Sequence, residues 1–245
     1  MAGSLFIVCG YVASGKTTVA NALSVKADLE IIRTDDLRKK LFPKEFDFGG
    51  GAPPKAEEIS LWLKNNPEAD LQQVLNPLYS LGSAYTDIVS RYSSKMKEQK
   101  EKVYDQAFAD LDNLLVSGKN VLFDATFSKV DMRNRAYQAA MKNGLKKVYL
   151  VQVVCEENIV NSRLAKRRSG EQSTSSNAKE MDVFRRIKKE FDASQIHEDA
   201  PDNISIARIV YDTGTHIIQK YGEEDEETER IEGVLSLLSQ RYGGN

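Results

Sequence analysis

Short apolar runs alternate with segments of helical period along most of this chain. The runs are rich in Val, Ile, Leu and Tyr, and they predict five strands, at residues 5–9, 29–33, 120–124, 147–154 and 205–211. Apolar residues between these runs recur at helical spacing, which predicts helices at residues 16–25, 36–41, 130–142, 157–168 and 227–241. This alternation indicates an α/β protein in which a parallel sheet is covered by helices on both faces.

The stretch from 43 to 117 is too long for a simple crossover between two strands. It opens with a Gly- and Pro-rich loop signal at residues 47–54, and a helical period then continues to Leu114. We predict a helical insertion at 43–117 within a single domain that spans residues 1–245. The insertion could cover the edge of the sheet or form the wall of a substrate pocket, and these two roles are compatible.

The clearest chemical signal follows the first predicted strand. Residues 10–17 match the phosphate-binding pattern G-x-x-x-x-G-K-[ST], which here stands between an apolar strand and the start of a helix. In that context the loop N–H groups and the helix N-terminus hold the phosphates of a nucleoside triphosphate. The residues expected to contact the nucleotide are Gly10, Ala13, Ser14, Gly15, Lys16, Thr17 and Thr18. Lys16 would reach the β- and γ-phosphates, and the Thr17 hydroxyl would ligate Mg²⁺.

Two carboxylates and an arginine follow the second predicted strand. Ligands of open α/β sheets bind at the carboxyl ends of the strands, where Asp35, Asp36 and Arg38 should lie. We favour Asp35 as the general base toward an attacking hydroxyl and Arg38 as the partner of an anionic substrate group. Asp36 is expected to cap the next helix and to add negative charge to its first turn.

The ends of the third and fifth strands add candidates at the same edge of the sheet. Asp124 could hold Mg²⁺ through water, could position the base, or could be an ordinary turn residue. Thr126 and Arg133 are expected to contact the substrate, Arg133 from the following helix. The backbone at Thr213 could line the pocket for adenine.

A pair of arginines precedes a Ser-rich segment at residues 169–177. Arg163 and Arg167 are four positions apart, so they share one face of a helix. We predict a lid at 163–180 in which these side chains stack on the adenine base of the nucleotide, clamp its phosphates and exclude water. Arg167 is therefore also a candidate for catalysis. An acidic run at residues 223–227 is expected to be a linker with first-turn charge for the last helix.

Composition narrows the class of protein. The net charge of −2 indicates no general affinity for polyanions. Cys9 and Cys155 lie in or after predicted strands, and their spacing is not that of metal ligands. His197 and His216 lack partner residues at a spacing typical of a site, so we assign no role to either histidine. No apolar run approaches the roughly 18 residues of a membrane span. We expect a cytoplasmic protein without membrane contact.

Taken in order, these motifs resemble those of small P-loop kinases related to the 5′-kinase domain of phage polynucleotide kinase. Zeta-toxin-like and antibiotic-phosphorylating P-loop kinases are more distant relatives. The matching pieces are residues 10–17, residues 35–38, residues 124–126 and the arginine pair, although the insertion at 43–117 is longer than in the polynucleotide kinase pattern.

That resemblance implies a three-layer P-loop NTPase fold with a five-stranded parallel sheet in the order 2-3-1-4-5. It also implies ATP with Mg²⁺ as the phosphoryl donor and Asp35 as the general base. Arg38 would then lie near a phosphate or other anionic group of the acceptor. Arg163 would lie against the adenine and Arg167 against the phosphates.

The leading functional hypothesis is a kinase that transfers the γ-phosphoryl group of ATP to a hydroxyl of a small molecule or nucleotide end. The alternatives are an ATP-dependent switch with slow hydrolysis and a toxin-like kinase controlled by a protein partner. A nucleic-acid acceptor is not favoured, because the lysines of the insertion are interleaved with glutamates between Lys95 and Lys102. The acceptor, the protein partner and the oligomeric state stay open.

Overall fold

The computed structural model describes residues 3–43, 56–65, 67, 75, 78, 85–171, 181–193, 201 and 203–243. The strands, β1 to β6 in chain order, are Leu5–Gly10, Glu30–Arg33, Val121–Asp124, Lys147–Val154, Ser205–Asp212 and Ile218–Tyr221. The helices with a defined range, α1 to α8, are Lys16–Ala27, Thr34–Leu41, Ala56–Asn65, Tyr85–Val116, Val130–Lys142, Glu157–Arg168, Met181–Ala193 and Glu226–Tyr242. No helix within the described ranges is long and apolar enough to cross a membrane.

The strands form one sheet in the order β2-β3-β1-β4-β5-β6. The first five are parallel, and Ile7 in the central strand pairs with Phe123 on one side and Leu150 on the other. The predicted fold class and the order of these five strands are confirmed. The predicted number of strands is corrected to six, because β6 pairs antiparallel with β5 at the edge. Alternate residues of β6 are exposed, so it lacks the continuous apolar run that revealed the other strands.

Two hydrophobic layers hold helices against the two faces of the sheet. In β1, Leu5, Ile7 and Cys9 face one layer, whereas Phe6 and Val8 face the other, and all five side chains are buried. The first layer packs against α4, α5, α6 and α7, and the second packs against α1 and α8. A central strand buried on both faces explains why apolar residues run through it without alternation.

The long helix α4 extends from the sheet into a small separate core. Its C-terminal half, around Phe108 and Leu111, packs in the same layer as the sheet. Its N-terminal half contributes Ile88 and Tyr92 to a cluster with α3. Within the predicted insertion the structure therefore describes two helices, whereas the loop predicted at 47–54 lies outside the described residues. The domain limits of 1–245 and 43–117 stay predictions.

The acidic run before the last helix contains the residue that caps it. The Asp225 carboxylate accepts from the Thr228 N–H at 2.9 Å, and the Asp225 N–H donates to the Thr228 hydroxyl at 2.7 Å, which forms a capping box. Tyr149 and Lys147 of β4 contact the same carboxylate at 2.8 Å. These contacts anchor the N-terminus of α8 to the sheet.

We expect Asp225→Ala to lower the free energy of unfolding by about 1–2 kcal/mol near neutral pH, since a cap and its partners are lost together. Burial alone would raise the pKa of Asp225, but hydrogen bonds, first from Lys147 and then from Thr228, outweigh it and lower the pKa to about 2. The stabilisation is therefore present above the unfolded-state pKa near 3.9 and is lost as pH falls through about 2.

Urea unfolding from neutral pH down to about pH 3 checks this, because the difference between the wild type and Asp225→Ala should shrink as the pH falls. Glu223→Ala is the matched control, since Glu223 belongs to the same acidic run but its exposed side chain is not the cap. A variant at Asp225 that is as stable as the control at neutral pH would contradict the capping role.

Candidate active site

The phosphate loop is held by two glycines whose positions do not accept a side chain. Gly10 has φ 147°, and a Cβ there would lie 2.1 Å from the Val153 carbonyl oxygen. Gly15 has φ 99° and is the N-cap of α1, without a side-chain cap. Thr18 in the first turn of α1 donates its N–H to the Gly15 carbonyl at 3.0 Å, whereas helix geometry leaves the N–H groups of Lys16 and Thr17 without intrahelical acceptors, so this end of the helix suits an anion. The backbone therefore has the loop and helix geometry that the motif predicts for a phosphate-binding site.

Lys16 is the first residue of α1, directly after Gly15 of the phosphate loop. Its Nζ donates to the Tyr11 carbonyl oxygen at 2.7 Å. Burial lowers the pKa of Lys16, while the nearby carboxylates of Asp124 and Asp35 act in the opposite direction. A bound phosphate would add further negative charge at the position that favours the ammonium form.

Asp124, at the end of β3, is 4% exposed and lines the same cavity as Thr17. Burial raises the pKa of the Asp124 carboxyl, and the positive charges of Lys16 and Arg33 oppose this effect. A hydroxyl and a carboxylate are oxygen ligands of the kind that Mg²⁺ prefers, and this ion usually keeps several waters. Thr17 and Asp124 thus fit a Mg²⁺ ion held beside the phosphates, directly or through water.

Sequence analysis missed Arg33, which orients Asp124. Its Nε donates to the Asp124 carboxylate at 2.8 Å, and its other nitrogens contact Asn21 at 2.7 Å and Asp36 at 3.3 Å. Asp36 is therefore not the cap of α2. That helix begins at Thr34 with Arg33 at the N-cap, and Asp36 is a first-turn residue paired with Arg33. An arginine that ends a mostly apolar strand was the available signal.

Asp35 faces the cavity from the first turn of α2. Its carboxylate accepts from Arg38 at 2.9 Å, and both side chains are half-buried in the cavity lining. Asp35 is also within electrostatic range of Lys16 and Arg167. The structure thus brings the predicted base and the predicted phosphate ligands to one place.

The two predicted lid arginines occupy different surroundings on α6. Arg163 donates to the Ala13 carbonyl and to the Thr213 hydroxyl, both at 3.0 Å, and Thr213 donates to the Ser14 carbonyl at 2.6 Å. Arg163 therefore supports the phosphate loop, and its side chain also lines the cavity. Arg167 lines the cavity, where burial lowers its pKa and Asp35 opposes that shift. Of the predicted lid at 163–180, residues 172–180 lie outside the described residues.

The expectation that Arg133 contacts substrate is corrected. Arg133 is 2% exposed, and its guanidinium donates to the carbonyl oxygen of Phe127. Phe127 has a left-handed φ of 47°, so Arg133 supports an unusual turn between β3 and α5. Thr126 does line the cavity, and its carbonyl oxygen accepts from the Gly10 N–H at 3.2 Å.

The C-terminal part of the chain contributes to the cavity beside the phosphate loop. His216, to which sequence analysis assigns no role, lies there with its Nδ1 2.8 Å from the Tyr211 hydroxyl oxygen. Thr213 joins them from the turn after β5, and Leu238 and Tyr242 join from α8. No local pattern predicts this position, because His216 has no charged or metal-ligand partner at a recognisable spacing.

Helices α4 and α7 also line this cavity. Their contributions include Tyr92, Met96, Lys100, Tyr104, Val183, Arg186, Ile187 and Glu190. The cavity volume is about 1020 Å³, at the upper end of the roughly 300–1,000 Å³ typical of a single small-ligand site.

The sequence model of a protein family described as an AAA domain matches residues 5–193. The chain belongs to the AAA domain family. The matched part of this AAA domain begins at β1 and ends at α7, so it includes the phosphate loop, Asp35, Asp124 and both arginines of α6. A comparison with curated proteins found no match.

Solved structures similar to this AAA domain include a candidate kinase from Chloroflexus aurantiacus. The two share 13% identity over 98% of each chain with a TM-score of 0.54, which shows a common fold. A gluconokinase from Sinorhizobium meliloti aligns at 15% identity over 99% of this chain and 94% of its own, with a TM-score of 0.42. A chain of the PezAT toxin–antitoxin system of Streptococcus pneumoniae aligns at 12% identity over 100% and 88%, with a TM-score of 0.46. The last two likenesses are too loose to carry an argument.

Proposed function

We propose that this protein is a kinase that transfers the γ-phosphoryl group of ATP to a hydroxyl of a small-molecule or nucleotide acceptor. The observation that carries the proposal is the position of Asp35, which lines the same cavity as Lys16 and Thr17. A carboxylate there is not needed to bind phosphates, since it would repel them. It suits the removal of a proton from an attacking hydroxyl.

The charges around the phosphate loop support phosphoryl transfer. Lys16, Arg167 and the N-terminus of α1 would stabilise the negative charge that collects on the transferred group. When bound, Mg²⁺ would supply further neutralisation of the phosphates, with Thr17 and Asp124 as the residues to hold it. Arg33 fixes the Asp124 carboxylate through its 2.8 Å contact. The resemblance of these motifs to the polynucleotide kinase pattern points in the same direction.

In the proposed step, Asp35 accepts the proton of the acceptor hydroxyl. The hydroxyl oxygen forms a bond to the γ-phosphorus as the bond from that phosphorus to the β–γ bridging oxygen breaks, and ADP leaves. Arg38 holds the Asp35 carboxylate at 2.9 Å, which limits its orientations. Positioning and charge, rather than covalent chemistry by the protein, supply the rate enhancement.

We propose a small acceptor, because side chains of α4 and α7 line the same cavity as the phosphate loop, and α7 packs against Tyr11 of that loop through Phe184. The discriminating experiment incubates the protein with MgATP and each of two acceptor sets. One set contains 5′-hydroxyl oligonucleotides, and the other contains sugars, sugar phosphates, nucleosides and aminoglycosides. ADP release and the mass of the acceptor are measured.

The expected result is ADP release that depends on a member of the small-molecule set, which gains one phosphoryl group. Transfer to the oligonucleotide alone would keep the kinase but change its acceptor. Slow hydrolysis of ATP that no acceptor accelerates would contradict the proposed function and favour a nucleotide-dependent switch.

A further inference from the structure

Three of the basic side chains that line the cavity come from segments that the proposed phosphoryl transfer does not use. Lys100 comes from α4, Lys129 from the segment before α5, and Arg186 from α7, and all three line the cavity. We call these three residues the distal cation cluster. The phosphoryl-transfer step described above uses none of them.

The cluster lies next to the proposed base. Tyr104, one helical turn from Lys100 on α4, is buried, and its hydroxyl is within electrostatic range of Asp35, Arg38 and Glu190. Lys100 is likewise within range of Arg38, Lys129, Arg186 and Glu190. An acceptor whose hydroxyl stands at Asp35 would therefore extend toward these cations.

The charges of the two lysines in the cluster are only partly compensated. Burial lowers the pKa of Lys100, and the like charges of Lys129 and Arg186 lower it further, while Glu190 opposes them. Glu190 is shared, because its carboxylate also accepts from the Ser128 hydroxyl at 2.6 Å. Among the described residues, neither Lys100 nor Lys129 forms an ion pair.

Lys100, Lys129 and Arg186 are all exposed, so water screens their mutual repulsion, but like charges around one cavity still attract an anion into it. The cluster draws on three separate segments, so no single solvated helix face accounts for it. Lys102 illustrates the contrast on α4, because it pairs with Glu98 at 2.7 Å away from the cavity. Charge-assisted hydrogen bonds to phosphate or carboxylate are the interactions that several cations at close range favour.

We propose that the distal cation cluster binds a phosphate or carboxylate group of the acceptor. The substrate is then an anionic hydroxyl compound, such as a sugar phosphate or sugar acid, rather than a neutral alcohol. The identification of the anion as part of an acceptor rests on the proposed kinase function. The anion site itself does not.

The kinetic test uses matched pairs of acceptors that differ only in an anionic group, such as a sugar and its phosphate or acid. We expect the wild type to favour the anionic member in kcat/KM, and Lys100→Met to reduce that preference about 10- to 100-fold, as the loss of one charge-assisted contact predicts. Lys102→Met is the matched control and should retain the preference. Oligonucleotides with a 5′-hydroxyl form a separate arm, which distinguishes a nucleic-acid phosphate from that of a small molecule.

A binding test measures anion binding at the distal cation cluster in the absence of turnover. The protein is loaded with a non-hydrolysable MgATP analogue to fill the phosphate loop, and inorganic phosphate is titrated by calorimetry. Binding that is weakened at least tenfold by Lys100→Met and by Lys129→Met, but not by Lys102→Met, is expected. Thermal unfolding confirms that each variant is folded.

The outcomes of these tests distinguish the proposed anion site from the proposed kinase function. Phosphate binding that depends on Lys100, with no acceptor phosphorylated, supports the anion site and contradicts the proposed kinase. Transfer to neutral and anionic acceptors alike, unchanged in Lys100→Met, keeps the kinase and overturns the anion site. Wild-type protein that binds no phosphate beside the nucleotide also overturns it.

Discussion

Asp35→Asn is expected to lower the turnover of acceptor phosphorylation by about 10²- to 10⁴-fold, the usual contribution of a general base. The amide has nearly the same shape as the carboxylate but does not accept the proton. The affinity for MgATP should change little, because Lys16, Thr17 and the loop backbone remain. Initial rates give turnover, and calorimetry with a non-hydrolysable ATP analogue gives affinity. Turnover within a few-fold of the wild type would remove Asp35 from the role of base.

Two further variants test whether the loss of turnover is specific to Asp35. Asp36→Asn tests the neighbouring carboxylate, which is paired with Arg33 and has a side chain that is 55% exposed. It should lose far less activity than Asp35→Asn, and a loss of equal size would move the base to Asp36. Asp105→Asn is the matched control, since its carboxylate pairs with Arg135 on the surface at 2.9 Å, away from the cavity.

Lys16→Ala should abolish most of the thermal stabilisation that MgATP gives to the protein. A ligand at 100 times its Kd stabilises the folded state by about 2.7 kcal/mol, and the loss of the phosphate-contacting ammonium reduces affinity enough to remove most of that. Acceptor phosphorylation should fall with it, because the same ammonium stabilises the transferred group.

Melting temperatures with and without MgATP measure this effect, and the values without nucleotide report whether the variant is folded. Lys26→Ala is the matched control, since Lys26 is exposed in the last turn of the same helix. If Lys16→Ala were stabilised by MgATP as strongly as the control, the phosphate-binding role of residues 10–17 would be wrong.

Several elements could be predicted to the residue from local sequence alone. The strand Lys147–Val154 and the helices Val130–Lys142 and Glu157–Arg168 have the predicted bounds. A buried parallel strand is apolar throughout, and a helix that packs on it repeats its apolar face, so both leave local patterns. The half-exposed strand Ile218–Tyr221 has neither pattern and was missed.

Roles that depend on the direction of one side chain were less predictable. Asp36 follows a strand as a helix cap would, yet the helix begins before it and its carboxylate pairs with Arg33 instead. Arg133 follows a strand of the binding edge, yet its guanidinium is buried against Phe127. Sequence position gives the element and its end, whereas the rotation of the helix decides which residues face the cavity.

The phosphate loop is encoded locally, because all its characteristic residues lie within eight positions of one another. They are the two glycines that allow positive φ angles, a lysine and a threonine. The sequence was therefore enough to predict the geometry of this loop and the edge of the sheet where the candidate site lies. The contact of Arg33 with Asp124 and the distal cation cluster of Lys100, Lys129 and Arg186 join residues from separate elements. These groupings exist only after the sheet forms and its helices pack, since parallel strands bring distant segments to one edge.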